Sequence, residues 1–374
     1  MVQKNSAPSS SRELLSEMVE PTPIGLVLLG MHRSGTSALA GILGKCGAWV
    51  GNDRDLTDAN LENPKGFFER RDIRAVCNGL LHAAGADWWR VSEFSLEAIP
   101  PAALTEQRRA FQQAISNLDG HGTWLIKEPR LCLLLPALRS SIPNAVCIHI
   151  YRNPLEVARS LQARNGFGIA EGLALWEVYN RAALRASSGH PRLLVAYEEL
   201  VTCPQKVVRA LVKELRRQSA AGLKVPDDNT ISAFISEDLH HHRSDRSDAD
   251  IFLSHSQHDL WQRLRSGELL REEESANVTE NVRQHLRDLE AREIGVQRLR
   301  NQLKATEERV RTLEAQLKSL SAETKKHKAK WETSIGDLHA SFSWRITAPL
   351  RALSNLFYSA LGKASNRSRG HLPN

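Results

Sequence analysis

Apolar residues follow two different periods along the chain between Ile24 and about Val201. Short continuous apolar runs are typical of strands that are buried on both faces, whereas apolar residues spaced three or four apart are typical of amphipathic helices. The two patterns alternate throughout this region. Such alternation predicts an α/β fold in which helices cover a parallel sheet.

Turn signals and apolar runs divide this region into predicted elements. The predicted strands are Ile24–Leu29, Trp124–Lys127, Val146–Ile150 and Arg192–Tyr197. The predicted helices are Thr36–Gly44, Arg71–Ala84, Ala102–Leu118, Pro154–Arg164, Gly172–Ala186 and Pro204–Arg217. After Gly222 the pattern weakens, and the segment from Ile231 to Ser266 is predicted to be mixed.

A charged helix is predicted from about Glu272, and its apolar residues fall on alternating steps of three and four. These residues are Val296, Leu299, Leu303, Val310, Leu313, Leu317 and Leu320, with Thr306 interrupting the series. This spacing is a heptad seam, so we expect a coiled coil that joins copies of the chain into a homo-oligomer. Upstream, the same register meets Arg292 and His285, which are poor seam residues.

The pattern therefore predicts a domain organisation in four parts. Residues 1–22 are polar and expected to be disordered, and residues 23–265 form the α/β domain. Residues 272–335 form the coiled coil, and residues 336–374 form a basic amphipathic tail. The tail is expected either to lie peripherally on a membrane surface or to pack on its partner in the oligomer.

Composition narrows the ligand class. The chain has 374 residues, of which 41% are hydrophobic and 25% charged, with a formal net charge of +7. A basic excess favours an anionic ligand or an anionic membrane surface. Nucleic acid is not expected, because the sequence has no stripe of basic and aromatic residues and no zinc-finger spacing.

Cysteine usage and the lack of targeting signals predict a cytoplasmic protein, and a tail that binds lipid would make it peripheral at the inner membrane. The cysteines are scattered without a CxxC pair, which predicts reduced thiols in the core: Cys46, Cys77, Cys132, Cys147 and Cys203. The N-terminus has no apolar signal-peptide core, and no apolar run reaches the roughly 18 residues of a membrane span. The cluster His240–His242 has no partner spacing, so no metal is expected.

The first candidate for chemistry is the loop Gly30–Ser37, which lies between the first strand and the first helix. A turn of this kind directs backbone N–H groups and the positive end of a helix dipole towards one point, which suits a phosphate or a sulfate. The glycine spacing matches a nucleotide P-loop, but Thr36 stands where that motif needs lysine. The loop carries its cation at Arg33 instead.

Polar clusters also follow other predicted strands and one loop. They are Asn63-Pro-Lys-Gly-Phe-Phe-Glu69-Arg70, Lys127-Glu-Pro-Arg130, and Tyr151-Arg152-Asn-Pro with Ser160 on the following helix. Open α/β sheets bind ligands at the carboxyl ends of their strands. We therefore expect these clusters to meet the Gly30–Ser37 loop.

Together these motifs resemble the sulfotransferase family that uses 3′-phosphoadenosine 5′-phosphosulfate (PAPS), over about Ile24 to Pro204. The resemblance implies a P-loop-like three-layer sandwich around a parallel sheet, here followed by a long coiled-coil helix. It also implies that the first loop binds the 5′-phosphosulfate. The residues that this implies are Arg33, Ser34, Gly35, Thr36 and Ser37, with Arg33 at a position where many members carry lysine.

The resemblance implies a separate site for the 3′-phosphate at Arg152 and Ser160. An arginine offers a fork of donors and a serine a hydroxyl to the same anion. This pair argues against the alternative function of a P-loop kinase or NTPase acting on a small molecule, because ATP has no 3′-phosphate. The strand before Arg152 also lacks the aspartate that holds magnesium in such enzymes.

Sulfuryl transfer needs a base for the acceptor and cations for the charge that develops. The resemblance implies Glu69 as the base, with Glu128 as the second candidate, and assigns Lys127 to stabilising the sulfuryl group together with Arg33. Arginine is a poor general acid, so Arg33 is expected to act by charge alone.

The acceptor is not fixed by these motifs. The heptad region and the Ser341–Arg351 element resemble C-terminal extensions of bacterial enzymes of surface-polysaccharide assembly, which implies a glycan or glycolipid acceptor. Trp88-Trp89 is a candidate sugar-stacking surface or plain packing. A coiled-coil scaffold with a vestigial nucleotide domain is a third interpretation, against which the intact polar residues argue.

Overall fold

Four parallel strands form the centre of the chain in its computed structural model. They are β1 (Gly25–Leu29), β2 (Trp124–Lys127), β3 (Ala145–Tyr151) and β4 (Arg192–Ala196). Their order across the sheet is β2-β1-β3-β4. The predicted parallel sheet is therefore confirmed, and its two central strands, β1 and β3, are buried along their whole length.

The structure describes residues 24–58, 66–235, 252–267 and 278–367. The segment predicted to be disordered at the N-terminus, the triplet Asn63–Lys65 and the histidines His240–His242 lie outside these ranges. The chain divides into two compact units, Met1–Ile294 and Gly295–Asn374.

Alternate residues of β1 face opposite sides of the sheet, which produces three layers. Leu26 and Leu28 belong to one hydrophobic cluster, whereas Val27 and Leu29 belong to another. Helices cover each cluster, as expected for a sheet buried on both faces. The predicted three-layer α/β sandwich is confirmed.

At least one helix follows each strand, and several more helices follow the last strand in the chain. Those of the first half are α1 (Thr36–Lys45), α2 (Arg71–Ala83), α3 (Pro101–Asp119), α4 (Leu131–Leu138), α5 (Pro154–Asn165) and α6 (Ile169–Ala186). Those of the second half are α7 (Tyr197–Thr202), α8 (Pro204–Arg217), α9 (Asp228–Phe234), α10 (His255–Ser266), α11 (Glu280–Ala340), α12 (Phe342–Ile346) and α13 (Ala348–Arg367).

Two differences from the sequence-based prediction go beyond a shift of up to three residues at the ends of an element. The last strand ends at Ala196, and Tyr197 begins α7, whose first turn carries Glu198 and Glu199. Acidic residues at a helix N-terminus are favourable to the helix dipole, which explains the early start. The helix α4 was not predicted, because it is apolar on nearly all sides and contains Pro136, so it shows no amphipathic period.

The charged helix α11 is continuous through Thr306 and reaches Ala340. Its first turns belong to the first compact unit, where Val282, Leu286 and Leu289 are buried. These positions follow helical spacing and explain why the heptad seam fails upstream of Arg292: this part of the helix packs within the first compact unit instead.

The second unit, from Gly295 onward, is helical. The seam residues of α11 from Leu299 onward are exposed there, with Leu313 at 55% and Leu317 at 72%. None of the described helices is both long enough and apolar enough to cross a membrane.

Candidate active site

The register of the sheet brings the ends of all strands to one edge. Leu28 of β1 pairs with Lys127 of β2, and Tyr151 of β3 pairs with Ala196 of β4. Because the strands are parallel, the polar residues that follow them meet at this carboxyl edge. The expected gathering of the motifs is found here.

The Gly30–Ser37 loop fits tightly between β3 and α7. A Cβ at Gly30 would lie 2.6 Å from the carbonyl oxygen of Ile150, and a Cβ at Gly35 would lie 2.2 Å from the Tyr197 ring. Gly35 also has a φ of +86°, in the left-handed region that favours glycine. Arg33 adopts a φ of 69°, which is strained for an L-residue and is a feature of ligand-binding loops.

Helix α1 presents an uncapped N-terminus above this loop. Its N-cap residue is Gly35, which offers no side-chain oxygen, and its first turn holds no acidic residue. The buried hydroxyl of Ser34 makes no hydrogen bond within the described part of the chain. The backbone donors of the first turn and this hydroxyl are chemically suited to an anion.

Arg33 connects the loop to the residues after β3. Its Nε donates to the Ser160 hydroxyl at 2.8 Å, and its carbonyl oxygen accepts from Arg152 Nη1 at 3.2 Å. The cation of the loop thus lies beside the pair predicted to bind a second anion. The residues predicted for the two anions are therefore in contact through Arg33.

The Arg152 guanidinium is buried and fixed on several sides. Its Nε donates to Glu156 Oε2 at 2.9 Å, and its guanidinium carbon lies 4.5 Å from the centroid of the Tyr197 ring. The Nη2 atom has no hydrogen-bond partner among the described residues. A buried cationic donor without a partner is costly, so this atom is a candidate for binding an anion.

Glu156 was not predicted as a site residue. It lies one helical turn after Arg152, so the i,i+4 spacing of opposite charges was the available signal. Its contact with Arg152 orients the guanidinium.

Glu69 and Lys127 form a buried ion pair. Lys127 Nζ donates to Glu69 Oε1 at 2.6 Å. Both residues are buried, with Lys127 4% exposed and Glu69 6% exposed. The preceding Phe68 has a φ of 56°, and Thr57 N donates to the Glu69 carbonyl oxygen at 2.8 Å. A second cation, Arg74, lies 3.9 Å from Glu69 Oε2.

Glu128, the second candidate base, is fully buried. Arg130 Nη1 donates to Glu128 Oε1 at 2.6 Å, and the Arg130 backbone N–H donates to the same oxygen at 3.1 Å. Burial raises the pKa of Glu128, with the Arg130 charge opposing that shift. Arg130 itself is the N-cap residue of α4. This pair joins the end of β2 to α4, which is a structural role.

The side chain of His32, in the Gly30–Ser37 loop, packs against two aromatic rings outside the loop. Its ring lies 4.8 Å from the Trp88 ring and 5.8 Å from the Tyr179 ring, and its Nε2 has no partner among the described residues. Burial, with the charges of Arg130 and Lys127, lowers the pKa of His32 well below its usual value. His32 is therefore neutral near pH 7. The Trp88 ring packs between the rings of His32 and Phe167.

The Gly30–Ser37 loop also contacts the Gly66–Arg70 segment and helix α4, which follows β2. Ser37 Oγ donates to the Phe67 carbonyl oxygen at 3.4 Å, which links α1 to the segment that carries Glu69. The Gly30 backbone N–H donates to Cys132 Sγ at 3.2 Å. All four predicted polar clusters therefore contact or adjoin one another at this edge.

The cysteines are all free thiols. Burial raises the pKa of Cys132 to about 12, so it remains protonated beneath the loop. Cys203 is exposed, which corrects the expectation that every cysteine lies in the core. It lies at the junction between α7 and α8.

Comparison with known proteins identifies the family. The sulfotransferase family model matches residues 25–218, just over half of the chain. The sulfotransferase domain of an olefin synthase from Synechococcus PCC 7002 shares 17% identity, covers 72% of this chain and 96% of its own, and has a TM-score of 0.35. A sulfotransferase from Mycobacterium avium shares 18% identity, covers 68% and 78%, and has a TM-score of 0.40. No curated protein matches the chain.

The close contact between Gly35 and Tyr197 gives a testable prediction. Both Gly35→Ala and Gly85→Ala place a side chain at positive φ, which costs roughly 1–2 kcal/mol. Only Gly35→Ala also drives a Cβ into Tyr197, since nothing lies within 4 Å at Gly85. We expect thermal unfolding to show a clearly larger loss of stability for Gly35→Ala. Equal losses would contradict the tight fit of the loop.

Proposed function

We propose that this chain, which belongs to the sulfotransferase family, takes the sulfuryl group of PAPS and transfers it to a hydroxyl or amine acceptor. The carrying observation is the buried Arg152, whose Nη2 lacks a partner among the described residues beside the Arg33–Ser160 contact. These groups offer a charged fork and a hydroxyl on the side of the site away from the Glu69–Lys127 pair.

The residues present fit a nucleotide that has one anionic group at its 5′ end and another at its 3′ position. The α1 N-terminus, with Ser34 and Thr36, would hold the 5′-phosphosulfate, and Ser37 would support the same turn. Arg152 and Ser160 would hold the 3′-phosphate. Arg33 would contact both anions, since its side chain meets Ser160 and its backbone belongs to the loop.

When bound, PAPS supplies an activated sulfuryl group whose bond to the phosphate oxygen breaks as the acceptor oxygen or nitrogen forms a bond to sulfur. The Glu69 carboxylate accepts the proton that the acceptor loses. Lys127 contributes positive charge where negative charge develops, at the sulfuryl oxygens and the leaving oxygen. Each of these two buried charges is compensated by the other before substrate arrives.

Glu69 is favoured over Glu128 as the base because of their surroundings. Glu69 follows a loop next to α1 and pairs with Lys127, whereas Glu128 is held by two donors of Arg130 and is completely buried. Since the chain belongs to the sulfotransferase family, the kinase or NTPase alternative is set aside.

For the acceptor we keep the proposal of a glycan or glycolipid, with PAPS as donor and no metal. Its support is the C-terminal extension. Trp88 packs on His32 and Phe167, so the packing interpretation accounts for that ring without a sugar. Trp89 is half-buried beside it.

We also propose that α11 pairs in parallel with a second copy of the chain. Its seam residues from Leu299 onward are exposed, and in a parallel pair Arg309 at a g position faces Glu314 at an e position of the second copy. In the antiparallel register that pairs Val310 with Leu313, Glu307 would face Glu314 instead. Charge complementarity therefore favours the parallel arrangement.

For the tail we propose an anionic lipid surface as the binding partner, at the inner face of a membrane. Helix α13 exposes an apolar face that includes Leu350, Leu353 and Phe357. Arg351 lies 3.7 Å from the Trp344 ring centroid, which places a cation beside an aromatic ring. Apolar and basic groups together are typical of helices that lie on anionic membranes.

The assignment of the 3′-phosphate site is tested by binding. We expect Arg152→Ala to weaken the binding of adenosine 3′,5′-bisphosphate by about 10- to 100-fold, the usual value of a charged hydrogen bond. Binding of adenosine 5′-monophosphate should change far less, because it has no 3′-phosphate. Calorimetry measures both, with the exposed Arg109→Ala as control. An equal loss for the two nucleotides would refute the assignment.

The catalytic roles are tested by transfer of labelled sulfuryl from PAPS to a panel of glycan and glycolipid acceptors. We expect Glu69→Gln and Lys127→Ala to lower the rate by about 10²- to 10⁴-fold, as for loss of a general base or of a charge stabiliser. Affinity for adenosine 3′,5′-bisphosphate should persist. The exposed Glu199→Gln is the matched control. Full activity in Glu69→Gln would remove that residue as the base.

The roles of the seam and of the tail are distinguished by measuring oligomeric state and vesicle binding in variants of the full chain. We expect Leu313→Glu to give monomers in sedimentation, while the control Ala315→Glu, off the seam, leaves dimers. Deleting residues 341–374 should abolish flotation with phosphatidylglycerol vesicles and leave the dimer intact. If Leu313→Glu still forms dimers, the seam is contradicted. If the deletion of residues 341–374 leaves flotation unchanged, or if it abolishes the dimer, the lipid proposal is contradicted.

A further inference from the structure

The first turns of α11 contact the loop that precedes α3. The Glu290 carboxylate accepts two hydrogen bonds from Ser92, one from the backbone N–H at 2.8 Å and one from the hydroxyl at 2.8 Å. Arg287 adds an ion pair to Glu93 at 2.9 Å. Ser92 is buried although it lies in a loop. The helix therefore fixes the backbone of this loop.

A second contact reaches the loop before α6. Arg292 donates two hydrogen bonds to the carboxylate of Glu171, both at 2.7 Å. The same carboxylate accepts from the Gly168 backbone N–H at 2.6 Å, which closes the N-terminus of α6. A bidentate pair of this kind fixes orientation as well as distance. Arg292 thus holds the start of α6 and the residues just before it.

The two loops that α11 holds meet at one aromatic contact. Trp88, four residues before Ser92, stacks on Phe167, which immediately precedes Gly168, with ring centroids 5.8 Å apart. Trp88 also packs on His32 of the anion loop at 4.8 Å. The contacts of α11 therefore converge, through Trp88, on the Gly30–Ser37 loop.

Apolar burial holds α11 in place independently of these polar contacts. Val282, Leu286 and Leu289 are almost completely buried in the same hydrophobic cluster that contains Phe167. Loss of a single polar contact should therefore loosen the two loops without releasing the helix.

We propose that the first turns of α11 are a clamp on the nucleotide site. Glu290 and Arg292 are positioning residues, which act through Trp88 and His32 to keep the Gly30–Ser37 loop in its strained, ligand-ready conformation. The clamp rests on the proposed function in one respect, since adenosine 3′,5′-bisphosphate is the probe of the site.

The test uses the full chain with Glu290→Gln and Arg292→Ala. We expect faster amide hydrogen exchange at residues 86–92 and at residues 30–37, with unchanged exchange in β3. The dissociation constant of adenosine 3′,5′-bisphosphate should rise about fivefold or more, at the lower end of the coupling between linked sites. Asp288→Asn and Arg298→Ala, exposed changes on the same helix, should alter neither measurement.

A double-mutant cycle separates positioning from a general loss of structure. In a Trp88→Ala background, Glu290→Gln should produce no further loss of affinity, because the route through Trp88 is already removed. Arg292→Lys should restore part of the affinity, since it keeps the charge and loses the fork.

Three results would overturn the clamp. These are unchanged exchange at residues 86–92, faster exchange with unchanged affinity, and an additive double-mutant cycle. If the unmodified chain fails to bind adenosine 3′,5′-bisphosphate, the proposed function fails instead. The exchange at residues 30–37 then decides the clamp by itself, since that measurement needs no nucleotide.

Discussion

The parallel register of β1 with its neighbours is the constraint on which the site depends. It places the Gly30 loop, Lys127 and Arg152 at the carboxyl ends of adjacent strands, so residues far apart in the chain lie together. A slip of one residue would move each strand's side chains to the opposite face and separate these groups. The apolar layers on both sides of the sheet prevent that slip, which makes core packing the source of the geometry of the site.

The buried charges at the carboxyl edge of the sheet are arranged in ion pairs, which limits the groups that a ligand can bind there. Glu69 pairs with Lys127, Glu128 with Arg130, and Glu156 with Arg152, and the side chains of all three pairs are buried. Removing one member of such a pair leaves an uncompensated charge, which costs far more than the pair contributes. Only Arg152, of these three cations, combines a carboxylate contact with an Nη atom that lacks a partner in the described structure. Arg130 Nε and Glu128 Oε2 also lack partners among the described residues. Each pair is thus compensated in charge before ligand binding, although not every one of its polar atoms is satisfied.

Much of the fold could be predicted because strands and helices here have clear periods. The strand at Trp124–Lys127 and the helix at Pro204–Arg217 are predicted with the bounds that the structure has. Helix α4 could not be predicted, since a helix buried on all sides has no polar face to mark its period. Pairings such as Arg33 with Ser160, and Arg292 with Glu171, depend on tertiary contacts that no spacing reveals. Local motifs identify the groups of the site, and the fold decides which groups touch.

The distribution of thiols has a practical consequence for labelling the protein. All five cysteines fall in the described ranges, and Cys203 is the exposed one. Cys132 and Cys147, by contrast, are buried, and each has a pKa raised to about 12, so neither forms the thiolate that would attack a maleimide. A fluorophore added under mild conditions would therefore attach at the junction before α8, without any engineered substitution and without touching the thiol beneath Gly30.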